Sequence, residues 1–70
     1  MLSNNEKMLI LEKRLIDLEH IYSSLLQYIQ KIEDGMQDPD MTISECNEVL
    51  PKIQAKIDAI NAEKQALTNT

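Results

Sequence analysis

From Met8 to Ile32 the apolar residues recur at alternating steps of three and four, through Met8, Leu11, Leu15, Leu18, Tyr22, Leu25, Ile29 and Ile32, and no member of the series is polar. At 3.6 residues per turn such a series falls along one stripe of a helix, at the a and d positions of successive heptads; a strand, with its period of two, would scatter it over both faces. The alternation resumes after one interruption, through Ile43, Cys46, Leu50, Ile53, Ile57, Ile60 and Leu67, with Lys64 its single polar member. Two amphipathic helices and nothing else account for the chain, so the fold class is all-α.

The interruption is chemically explicit. Gly35 readily takes the left-handed conformation that closes a helix, and Pro39 cannot continue one. Before the first stripe, Ser3 and Glu6 have the spacing of a capping box, so helix 1 is expected over about residues 4–34. Residues 35–42 form the connector, centred on Asp38-Pro39-Asp40. Thr42 and Glu45 make a second capping box, flanked by Met41 and Cys46 in the positions of a hydrophobic staple, so helix 2 is expected over about 43–67. Pro51 falls inside it. Proline removes one backbone hydrogen bond and crowds the carbonyl four residues back. Because the stripe keeps its phase across Pro51, a kinked single helix is the first expectation and a fresh helix starting there the alternative.

Two stripes and a short connector fold together most readily as an antiparallel, coiled-coil-like hairpin, one domain over residues 1–70. Pairing outward from the connector sets Ile32 near Cys46, Leu25 near Ile53, Leu18 near Ile60 and Leu11 near Leu67. Helix 2 is then too short to cover helix 1, whose first turn or two should project beyond it. Helix 1 is also too apolar for this contact alone. Leu2, Leu9 and Ile16 are spaced by sevens on a face turned well away from the stripe, with Ile10 beside them, and Ile21, Leu26 and Tyr28 widen the stripe farther along. Isolated apolar surface residues are ordinary. A set this regular, in a chain of 70 residues that buries little surface by itself, is expected to meet another protein. Ala55, Ala59, Ala62 and Ala66 line up on helix 2, either as a close-approach surface or simply as good helix formers.

Composition narrows the functions. A single cysteine excludes an internal disulfide and suits a reducing, cytoplasmic setting. Phe and Trp are absent, and a net charge of −5 with no basic stripe argues against nucleic acid. No apolar run approaches the roughly 20 residues that span a bilayer, and the first residues lack a signal-peptide pattern. His20, the only histidine, falls on the polar face with Lys13, Gln27 and Asp34, and Cys46 lies in the stripe, so the two cannot form a nucleophilic pair. Asp34, Asp38, Thr42 and Glu45 mimic positions of a calcium loop, but Pro39 stands where that loop needs glycine. Carboxylates such as Glu12, Asp17 and Glu19 read as a solvated face beside Lys13 and Arg14. The sequence therefore predicts no enzyme activity, no cofactor and no metal.

With its long leucine-rich helix 1, which opens Leu11-Glu12-Lys13-Arg14-Leu15, its short connector and its shorter helix 2, the chain resembles the small co-chaperones of type III secretion needle subunits over about residues 8–67. The resemblance implies a cytosolic hairpin that packs on a larger helical-repeat chaperone, the pair holding the needle subunit monomeric, with faces other than the stripe meeting the partner. Two other functions fit the same residues. One is a homodimeric four-helix bundle in which Leu2, Leu9 and Ile16 meet their own copies, as a structural or regulatory protein. The other is a small helical inhibitor docking on a signalling enzyme.

Overall fold

The computed structural model describes residues 1–69, which form two helices, α1 (Asn4–Glu33) and α2 (Ile43–Thr68), packed against each other as an antiparallel hairpin. The hairpin measures 50 × 17 × 16 Å. Both expected starts are seen. The Ser3 hydroxyl accepts from the Glu6 amide and the Glu6 carboxylate accepts from the Ser3 amide, each at 3.1 Å. Thr42 and Glu45 repeat the exchange, again at 3.1 Å. Each box satisfies donors that the first turn of a helix leaves without a partner.

α1 stops one residue before the expected Asp34, which serves instead as its C-cap. Beyond it the Gly35 amide donates to Ile32 O (3.1 Å) and the Met36 amide to Lys31 O (3.0 Å), the paired bonds of a Schellman closure. Gly35 has φ +102°, and a Cβ placed on it would meet nothing within 4 Å. The demand for glycine is thus conformational rather than steric. Gly35→Ala is expected to destabilise the hairpin by about 1 kcal/mol, read as a lowered urea midpoint.

Pro51 lies inside α2, which runs unbroken from Ile43 to Thr68 and so excludes a fresh start at that residue. Its side chain is exposed, so the proline sits on the solvent side, where a missing amide donor can be replaced by water. α2 extends one residue beyond the expected Leu67 and is capped by Asn69.

The core is the seam. Leu11, Cys46, Ile53, Ile57 and Ile60 are buried, and Leu15, Leu18, Tyr22, Leu25, Ile29, Ile32, Leu50 and Leu67 are half-buried. Four of the five buried residues belong to α2. The stripe of α2 is thus more fully covered than that of α1, several of whose flanking apolar residues stay exposed. Cys46 is completely covered, as suits a thiol acting as a small apolar residue beside the connector. No buried side-chain polar atom among the described residues lacks a partner.

The expected register is supported at two heights. Leu11 and Leu67 line one cleft between the helices, and Leu18 and Ile60 line another. The projection of α1 is shorter than the sequence count gave, because Ala66 and Leu67 share their cleft with Leu2 and Lys7. The last turn of α2 therefore reaches the first turns of α1.

Candidate protein-binding surface

Six of the seven residues expected to face a partner are exposed. Leu9 and Ile16 are the most open, at 65% and 66%, and Leu2, Ile10, Ile21 and Leu26 are also exposed. The seventh, Tyr28, is put to a different use. It is half-buried, and its hydroxyl accepts from the Asp40 amide at 2.7 Å and from the Met41 amide at 3.3 Å. Tyr28 thus anchors the connector to α1 just before the second capping box. The sequence placed it correctly on a flank of α1; that this flank faces the returning connector depends on the path of Pro39 and Asp40, which periodicity does not describe.

The exposed residues divide between faces. Leu9 and Ile16 lie about 140–160° around the α1 axis from the middle of the seam, and Leu2 continues their line in front of the helix. Ile10 instead borders a cleft between the two helices, and Ile21 and Tyr28 border one between α1 and the connector. Among the described residues, clefts open along this side of the hairpin at three heights. At the terminal end, a cleft of about 450 Å³ is lined by Leu2, Ile10 and Arg14 on one side and by Glu63, Ala66 and Leu67 on the other. Arg14 also borders the middle cleft, facing Lys56 and Ala59. The third lies against the connector, between Ile21, Leu25, Tyr28 and Met41. Steps of four, three and four from Ile10 through Arg14 and Asp17 to Ile21 put these residues on one flank of α1, so the clefts share one side of the hairpin.

Five charged side chains border the first two clefts: Lys7, Arg14, Asp17, Lys56 and Glu63. None is in an ion pair among the described residues. Sequence reasoning treated Arg14 and Asp17 only as parts of a solvated face and did not single out Lys56 or Glu63. The hairpin register was the signal that could have found the set, since it brings Glu63 level with Leu15, directly beside Arg14.

The side chains with chemical potential are engaged in the fold or isolated. Glu45 and Thr42 are committed to their capping box, and Asp34 accepts from Gln30 Nε2 at 3.1 Å. Two of the four positions of the calcium-like spacing are thus spent on capping. Its backbone and side-chain hydrogen bonds from Ser3 hold the Glu6 carboxyl below its ordinary pKa of 4.5. His20 is exposed at the mouth of the connector cleft. No group of His, Cys, Asp and Glu able to hold a metal occurs among the described residues. None of their helices is long and apolar enough to cross a membrane. No protein-family model, curated protein or solved structure matches the chain.

Proposed function

We propose that the chain is a non-enzymatic protein-binding hairpin, of the kind of a small cytoplasmic co-chaperone that pairs with a larger helical-repeat chaperone around a type III secretion needle subunit. The observation that carries the binding reading is the exposure of Leu9 and Ile16, at 65% and 66%, on the side of α1 away from α2. Large aliphatic side chains spaced by sevens are what one helix offers to another, and on this face α2 cannot cover them. The chaperone reading adds the layout of the chain and the helix opening Leu11-Glu12-Lys13-Arg14-Leu15. In it, the seam holds the hairpin together while the outer face of α1 carries the partner.

Replacing Leu9 and Ile16 together by glutamate tests this. The far-UV helical signal is expected to stay nearly intact while affinity for the partner falls by on the order of 100-fold or more, the scale set by losing two apolar anchors. Leu25→Glu is the control, since it places a charge in the seam and should remove the helical signal. A loss of helicity in the double variant comparable to that of Leu25→Glu would show that Leu9 and Ile16 belong to the fold's own core. Association with copies of itself, abolished by the same pair of substitutions, would instead favour a homodimer through the outer face.

A further inference from the structure

The crevice side of the hairpin pairs large residues of α1 with small ones of α2 at nearly equal heights. In the observed register Ala66 is level with Glu12 and Ala59 with Glu19, each two residues from an exposed isoleucine, Ile10 or Ile21. Two residues are about 3 Å along a helix. Arg14 and Glu63 are level to within one residue, and each lacks an ion-pair partner among the described residues. We propose that this side is occupied by a second copy of the chain, related by a twofold axis parallel to the hairpin.

Under that operation α1 of each copy lies over α2 of the other at the same height, and both connectors stand at the same end. Ile10 and Ile21 of one copy then rest over Ala66 and Ala59 of the other, where the alanines leave room for them. Arg14 of each copy meets Glu63 of the other, so the charge match is made twice. A twofold axis across the helices would instead set α1 on α1 and α2 on α2, bringing the isoleucine flanks against each other and losing the pairing. The hairpin extends 50 by 17 Å, so the contact must run along its whole length to reach the ~800 Å² that each partner contributes to a stable interface. Leu9 and Ile16 of both copies stay outside the four-helix bundle, so this contact is independent of the partner surface proposed above and differs from a dimer built on those residues.

The test mixes two single variants. Wild type is expected to sediment as a dimer at about 100 µM, while R14E and E63R each sediment as monomers with wild-type far-UV spectra, since each sets like charges together at both copies of the contact. An equimolar mixture of R14E and E63R should restore the dimer, because the charges that face each other at positions 14 and 63 are then opposite in sign at both copies of the contact. Restoration in the mixture separates contact between copies from any pairing within a chain. The proposal is overturned if wild type is monomeric at that concentration, if either variant dimerises as wild type does, or if the mixture stays monomeric. A wild-type monomer whose binding to a different protein is lost in R14E would assign the crevice to that protein.

Discussion

Ile57→Asp is expected to unfold the chain. Ile57 is 8% exposed and lies between Ile53 and Ile60, both also buried in the seam. Truncating such a side chain to alanine costs about 2–5 kcal/mol, and a carboxylate there adds the desolvation of an unpaired charge. A domain of 70 residues has about 4–10 kcal/mol of stability in total. The single substitution therefore removes most or all of it, and far-UV circular dichroism at 25 °C should read a largely unfolded chain. Retention of the wild-type helical signal would mean that the seam does not hold the hairpin together. The contrast with the Leu9 and Ile16 double variant is central: one charge on the seam destroys the fold, whereas two on the outer face leave it standing.

Tyr28→Phe should cost about 2 kcal/mol, roughly 1 kcal/mol for each hydrogen bond lost. Phenylalanine keeps the ring but removes the oxygen that accepts from the Asp40 and Met41 amides. The loss should be local before it is global. Amide hydrogen exchange at Asp40 and Met41 is expected to accelerate at least tenfold in the variant, with little change at Ile53 or Ile57. Unchanged protection at the two connector amides would show that the tyrosine is not what fixes the turn. The role is structural, and it explains why this flanking apolar residue of α1 is half-buried when Ile21 and Leu26 are not.

The elements themselves were legible because their signals are local. Two capping boxes, a glycine that closes α1 and a three-four alternation place both helices to within a residue of the observed bounds. The register was legible because a short connector leaves a hairpin little freedom. Tyr28 was not, since its role depends on how residues 35–42 fold back, and a connector with positive φ at both Gly35 and Asp38 has no periodicity to read. The candidate surface was legible in its residues but not in its division. The sequence groups Ile10 with Leu9 and Ile16 and sets Ile21 apart on the flank of the stripe; in three dimensions Leu9 and Ile16 face outward, while Ile10 edges a cleft whose other wall belongs to α2 and Ile21 one whose other wall is the connector. Periodicity on one helix cannot show which of its flanks a second helix turns into a groove. Pro51 went differently: the stripe kept its phase, and α2 indeed continues through the proline, whose exposed position leaves the buried seam of Cys46, Ile53 and Ile57 undisturbed.

The hairpin is expected to work by binding a different protein through the outer face of α1. The most direct measurement is the intact mass of the native assembly, purified gently from the host at natural abundance. The expected result is a stoichiometric complex in which a second polypeptide accompanies this chain, and from which that polypeptide is missing when Leu9 and Ile16 are replaced by glutamate. A mass equal to whole multiples of this chain alone, or a second polypeptide retained undiminished by the double variant, would contradict it.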